Sequence, residues 1–249
     1  MIIIKSDREL AVMRRAGRVV ALVWEALEEA IRPGVSTKEL DALAETTIRK
    51  LGARPAFLGY QGFPASICTS VNDEVVHGIP SEKVVLEEGD ILSVDLGAIV
   101  DGFYADAAFT VAVGKVPREV KRLLEVTEES LYKGIEMMRE GHRLSDISNA
   151  IQSHVEGAGF SVVRQYVGHG IGRSMHEDPQ IPNFGPPGVG PVLRKGMVFA
   201  LEPMVNMGHW KVQVGPDDWT VRTEDGSLSA HFEHTVVVTD GEPEVLTRR

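Results

Sequence analysis

Apolar residues recur at helical spacing in four long stretches of the chain and alternate at strand spacing in shorter runs between them, in the same order twice. Ser6-Asp7-Arg8-Glu9 reads as a capping box opening an amphipathic helix that Pro33-Gly34 stops. Ser36-Thr37-Lys38-Glu39 opens a second helix, closed near Gly52. Strand-like runs follow, and two of them, ILSVDLG and FYADAAFT, flank Asp101-Gly102, a strong two-residue hairpin turn. After Pro117, placed as at a helix start, a long helical stretch runs to about Glu140 and Gly141; Leu144-Ser145-Asp146 begins another that ends near Gly157 and Gly159. Strand-like runs then return, so the pattern predicts an α+β chain.

The recurrence has a period. Arg32, Gly34, Leu40 and Gly52 correspond, 107 residues on, to Arg139, Gly141, Ile147 and Gly159, and the same offset lays GDILSVDLG, from Gly89, on GMVFALEPM, from Gly196. Asp95 then falls on Glu202. DAAFTVAVG, from Asp106, resembles EHTVVVTDG, from Glu233, at an offset of 127, as though the second half carried extra residues between its strands. Few paired residues are identical, and two ordinary amphipathic segments can match by accident, but here acid pairs with acid. The expectation is a single domain over residues 1–249, made of pseudo-twofold duplicated α/β half-domains of about 1–115 and 116–249, each sending an acidic strand pair to a central site.

Hairpin geometry bears on the first pair independently. With Asp101-Gly102 at the loop, Asp95 opposes Ala108 and Gly97 opposes Asp106. Asp95 and Asp106 then project from one face as diagonal neighbours, roughly 7–8 Å apart at Cβ, a gap that suits carboxylates converging on cations and equally a solvated strand face. Gly97 opposite Asp106 suggests close approach by another segment. In the last strand, His231, Glu233 and Thr235 share one face, and Phe232, His234 and Val236 share the other.

Composition narrows the class. A chain of 249 residues with 43% hydrophobic content is that of an ordinary globular protein able to bury a large core. Its one cysteine, Cys68, excludes an internal disulfide framework. The opening apolar run, Ile2-Ile3-Ile4, meets Lys5, Asp7 and Arg8 at once and is too short for a signal segment or a membrane span, which makes a cytoplasmic location the default and a membrane role unexpected. A formal net charge of −10 without any Lys/Arg cluster argues against a nucleic-acid partner and would favour a cationic substrate end.

Candidate chemistry lies in five short contexts. Asp95 in SVDLG, Asp106 in YADAAFT, His169 in YVGHGIG, Glu202 in FALEPM and Glu233 in HFEHT are four carboxylates and one imidazole, too hard a set for a structural zinc site. They suit two divalent cations, which at about 3.5–4 Å apart share an activated hydroxide, so the set points to hydrolysis. His169 follows a β-branched run, Ser161 to Tyr166, and its flanking Gly168 and Gly170 would let backbone crowd a cation or substrate; alone, such a histidine reads equally as a turn residue.

These residues, over nearly the whole chain from the helix at Ser6 to the strand after Glu233, resemble the methionine aminopeptidases of the short, bacterial type I, members of the pita-bread (creatinase/aminopeptidase) metallopeptidases. The resemblance implies the pita-bread fold around a central antiparallel sheet and two divalent ions (Co²⁺, Mn²⁺, Fe²⁺ or Zn²⁺) held by Asp95, Asp106, His169, Glu202 and Glu233, with Asp106 and Glu233 bridging. It implies substrate-facing histidines at His77 in VVHGIP and His176 in MHEDPQ, which without it would pass as capped turns. It further implies removal of the initiator methionine from nascent proteins with a small second residue, a metal-bridging hydroxide attacking the first peptide bond. His176 would contact the carbonyl oxygen, His77 the scissile amide, and Glu202 would be both ligand and proton shuttle.

A methionine side chain needs an apolar, polarizable slot. By match to the family it would be lined by Tyr60, Phe63, Cys68, Met175 and Trp219, any of which could also be plain core. Trp219, after two acids and before alternating residues, suits a rim. Cys68 reads as a small buried wall, since no histidine adjoins it in a thiol-protease pattern. Met175 stands where relatives often carry an aromatic, and His231 where an amide is common. The family also implies a monovalent cation near Asn72 and Ser229, a monomer, Met-peptides and nascent chains as substrates, and transient proximity to the ribosome. Proline-specific aminopeptidases and prolidases share the metal core but carry a sizeable extra N-terminal domain; the eukaryotic-type methionine enzyme has a longer insertion than the little more than 30 residues between His169 and Glu202. Pita-bread folds that only bind partners have lost ligands, and all five stand here.

Overall fold

The computed structural model describes residues 1–248. Four helices carry the long apolar stripes: α1 (Asp7–Ala30), α2 (Thr37–Lys50), α3 (Arg118–Glu136) and α4 (Leu144–Gly157). Both capping boxes form, the Ser6 and Ser36 hydroxyls accepting from the amides of Glu9 and Glu39 while those carboxylates accept in return from the backbone of Ser6 and Ser36. α3 stops at Glu136, short of the Glu140–Gly141 boundary read from sequence. The amides of Met137 and Met138 donate only three residues back, to Gly134 and Ile135, and the amide of Gly141 leaves the helix for the carbonyl of Leu193. A tertiary contact thus overrides the local pattern.

Between α2 and α3 run β1 (Arg54–Pro55), β2 (Ile67–Val71), β3 (Glu74–Val76), β4 (Ile91–Val100) and β5 (Phe103–Ala112). After α4 come β6 (Ser161–Val162), β7 (Gly168–Gly170), β8 (Glu177–Ile181), β9 (Val198–Leu201), β10 (Met204–Asn206), β11 (Val212–Val214), β12 (Val221–Thr223), β13 (Ser229–His231), β14 (Glu233–Val237) and β15 (Glu244–Val245). The main sheet has the order β1-β4-β5-β14-β9-β7-β8, with β2 also on β4 and β15 on β14, and its pairings are antiparallel. The hairpin register is the one expected, Asp95 facing Ala108 and Gly97 facing Asp106. β5 pairs with β14, Glu233 falling opposite Ala108. Ala108 is therefore flanked by Asp95 on one neighbour and Glu233 on the other.

The helices cover the sheet, α1 lying on β4 and β5 and pairing with α2, while α3 packs with α4 and against β13 and β14. Leu27, Leu96, Leu123 and Phe199 are buried in one continuous core, and Trp24 of α1 stacks on Phe109 of β5 with ring centroids 4.3 Å apart. Each such side chain gains roughly 1.5–3 kcal/mol by leaving water, which fixes the sheet that the acids stand on. Among the described residues no helix is long and apolar enough to cross a membrane.

Candidate metal centre and substrate slot

Asp95 of β4, Asp106 of β5, His169 of β7, Glu202 just past β9 and Glu233 at the start of β14 all line one cavity of about 320 Å³. Donor atoms of Asp106, His169 and Glu233 lie within 4.8 Å of one another. The imidazole Nε2 of His169 is 3.6 Å from Oε1 of Glu202. Its Nδ1 donates to the carbonyl of Gly170 at 2.9 Å, which fixes the tautomer and leaves Nε2 as a free lone pair facing the acids. Gly168 and Gly170 have a different role from the one expected. A Cβ at either would strike backbone of neighbouring strands, the Ala200 carbonyl oxygen at 2.5 Å or that of Asp178 at 2.1 Å, so the glycines serve strand packing rather than room for a ligand. In the same way Gly97 admits the segment from β1, where its Cβ would meet Ala56 at 2.8 Å.

The electrostatics of this cluster suit positive charge. Burial, aided by the neighbouring carboxylates, pushes Asp106, Glu202 and Glu233 well above the usual carboxylate range, and burial raises Asp95 to about 7. Burial lowers His169 to about 4, keeping the ring neutral as a ligand must be. Oδ1 of Asp95, Oδ1 of Asp106 and Oε1 of Glu233 are buried without a hydrogen-bond partner. Three unpaired oxygens among four crowded acids need protons or cations, and hard oxygen donors with one imidazole fit divalent metal. The residues present therefore fit the group.

His77 and His176 line the same cavity. His77 holds a left-handed φ of 62°, a conformation that costs energy outside glycine and places its ring edge-on to Tyr166 at 5.6 Å. Burial lowers its pKa to about 4. The His176 ring lies 4.3 Å from that of His169, and its Nδ1 is hydrogen-bonded to the Tyr60 hydroxyl at 2.7 Å. His231 points its Nε2 toward Oε2 of Glu202 at 3.9 Å, and that nitrogen has no hydrogen-bond partner. His234 turns the other way, against Trp24, as alternation required.

The loop of His176 is braced from behind. Glu177 accepts through Oε1 from the amides of Arg173 and Ser174, and its other oxygen pairs with the ammonium of Lys5. The Lys5 and Glu177 side chains are 3% and 7% exposed, an ion pair almost wholly out of water.

Tyr60, Phe63, Cys68, Met175 and Trp219 all meet at the cavity, packed as one apolar cluster with Phe57 and Ala65. Trp219 stands half-buried at the edge, its ring T-shaped on Phe63 at 5.1 Å, as a rim position demands. The Cys68 thiol is buried and raised by that burial and by the Asp95 carboxyl, so it stays protonated and inert as a nucleophile. Sequence reasoning missed Phe57 and Gln61, which also line the cavity. Gln61 has a φ of 50° between two left-handed glycines, Gly59 and Gly62, and the G-Y-Q-G string was the available signal of a tight loop.

Known proteins resemble the chain over nearly its whole length. The model of metallopeptidase family M24 matches residues 11–240. The methionine aminopeptidase of Clostridium acetobutylicum is 56% identical over 247 residues, covering 99% of each chain, and methionine aminopeptidase 1 of Bacillus subtilis is 57% identical over 248 residues, covering 100% of each. The crystal structure of methionine aminopeptidase from Thermotoga maritima superposes with a TM-score of 0.99 at 49% identity over the full length of both chains. The prolidase of Pyrococcus horikoshii shares the pita-bread fold alone, with a TM-score of 0.81 at 24% identity, this chain covering 64% of it.

Proposed function

The chain belongs to metallopeptidase family M24, among its methionine aminopeptidases, and as such it is a metal-dependent hydrolase of peptides that begin with methionine; from that premise we propose how its residues divide the work. Asp95, Asp106, His169, Glu202 and Glu233 would hold two divalent cations. Supporting this are the three unpartnered carboxylate oxygens and the neutral His169 with its outward nitrogen already bonded to Gly170. Bound divalent metal supplies Lewis-acid polarisation and lowers the pKa of water from ~15.7 toward ~7, giving a nucleophile at neutral pH.

The rest is the work of side chains. The apolar wall of Phe63, Cys68, Met175 and Trp219 takes the thioether, which gains from aromatic and sulfur contact and asks for no hydrogen bond. The Asp95 carboxylate attracts the substrate α-amino group, whose pKa lies near about 8. His176 donates a hydrogen bond to the scissile carbonyl oxygen as it gains negative charge, and His77 meets the scissile amide and the leaving nitrogen. Glu202, whose carboxyl burial makes proton-avid, holds the proton that passes to that nitrogen.

The substrates are Met-peptides and nascent proteins, a small second residue being preferred, and the work is cytoplasmic and near the ribosome, by a monomer. A monovalent cation near Asn72 and Ser229 belongs to the same reading; the two meet there, the Ser229 amide donating to the Asn72 carbonyl at 3.0 Å. We read the chain as one domain of two related halves, about 1–115 and 116–249, which the symmetric placement of β4–β5 and β9–β14 about the β5–β14 junction supports. The observation that carries the whole is the convergence of five ligands from both halves on one cavity. Its test is turnover of free and N-acetylated Met-Ala-Ser by stripped protein with Mn²⁺, Fe²⁺, Co²⁺ or Zn²⁺ restored in turn. Methionine should appear from the free peptide alone. Equal cleavage of the blocked peptide would overturn the amine-binding role, and no cleavage with any ion, in protein shown to bind two, would overturn the assignment.

A further inference from the structure

Tyr60 has two claims on it: its ring walls the methionine slot, and its hydroxyl sits 2.7 Å from Nδ1 of His176. The wall does not need the hydroxyl, since the buried Phe57 and Phe63 serve the same cluster without one. The loop that presents Tyr60 is built for placement. Its amide donates to the Phe57 carbonyl at 2.9 Å, its carbonyl accepts from the Phe63 amide at 2.9 Å, and the Gly59 amide closes the loop on the Phe63 carbonyl at 2.8 Å. Gly59, Gln61 and Gly62 all have positive φ, of 79°, 50° and 92°. The loop in turn is pinned to β4, the Ala56 amide donating to the Gly97 carbonyl at 3.0 Å. On the other side, Glu177 and the buried Lys5 hold the His176 segment. Both ends of the hydroxyl–imidazole contact are therefore fixed.

An imidazole with one nitrogen committed has only the other to offer. Nε2 of His176 makes no hydrogen bond among the described residues, and His176 lines the cavity. A scissile carbonyl oxygen is an acceptor, so Nε2 serves it only while carrying the proton, and a neutral ring then has a bare Nδ1. We propose that the Tyr60 hydroxyl donates to Nδ1 of His176 and so keeps the imidazole proton on Nε2, making Tyr60 a positioning residue that sets the tautomer of the group facing the carbonyl. This rests on the role given to His176 above. The chain O–H···Nδ1, Nε2–H···O=C is polarised in one direction, so each bond strengthens the other as charge builds on oxygen.

The test is Tyr60→Phe in the zinc-loaded enzyme, which keeps the ring and removes only the hydroxyl. With Met-Ala-Ser, kcat should fall about 10-fold or more, less than the about 100-fold or greater cost of deleting an oxyanion donor outright, while KM stays within about 2-fold because the slot wall is intact. The ¹⁵N resonances of the His176 ring, assigned by their loss in His176→Ala, should show a proton on Nε2 in the wild type and a mixture of tautomers in Tyr60→Phe. An unchanged kcat, a change confined to KM, or a wild-type ring protonated only at Nδ1 would each overturn the proposal. His176→Ala with undiminished kcat would instead remove the role of His176 itself, an outcome separable from the others.

Discussion

Asp95 shows what the cavity does to a single residue. Burial raises its carboxyl to about 7, against about 3.9 for the unfolded chain, so the folded state binds the proton more tightly. In metal-stripped protein this favours folding below the unfolded value, and the contribution is lost as pH rises through 7. Stripped Asp95→Asn, which has no such proton to lose, should therefore gain in thermal midpoint over stripped wild type between pH 4 and 8, measured by parallel melts; a constant gap would refute it. Asp106→Asn should abolish methionine release with the circular dichroism spectrum retained, because it removes a proposed metal ligand from a sheet that the core holds; turnover in protein with verified metal content checks it. At this scale much was legible. The four acids and the histidine that line the cavity stood in distinct strings, and alternation separated His231 from His234. The hydroxyl contact of Tyr60 was not, because a side chain meeting another 116 positions away leaves no local period.

Among elements, the capped helices and the β4–β5 hairpin were legible because their signals are local: a serine with a glutamate three residues on, and Asp101-Gly102 between alternating runs. Ser36→Ala removes one such signal and should cost about 1 kcal/mol, lowering the melting midpoint by roughly 2–4 °C in a chain of this size, as calorimetry would show. The short strands β7 and β10–β12 were illegible in advance, since three-residue pieces form only where a neighbouring strand recruits them. The link between the first residues and the His176 loop is of the same kind. Lys5→Met leaves Glu177 charged, buried and unpaired, and should cost about 3–5 kcal/mol by denaturant melt; adding Glu177→Gln should recover most of it, because the neutral amide oxygen still accepts from Arg173 and Ser174. Failure of the double variant to recover would mean that packing rather than charge sets the cost.

On the scale of the molecule, the repeat read in the sequence led to the expectation of a site between two halves; the main sheet is continuous through the β5–β14 pairing. What no pattern foretold was how dry the meeting point is, because burial belongs to the assembled molecule and not to any segment. Lys115, between β5 and α3, is exposed and lies outside both the strands and the helices. A protease site placed there should give a nicked enzyme that still releases methionine and elutes as one species, and a chelator should lower its melting midpoint more than that of the intact chain.

That seam has a consequence for the cell. Four acids crowded across it must take up protons whenever no cation sits between them, at a cost that rises with pH, so a bound ion would be a rivet as well as a reagent. Starved of metal, the protein would lose the stability that ion binding adds and should open, and meet proteolysis, more often. The amount of enzyme would then track the supply of its own ion, with no regulator required.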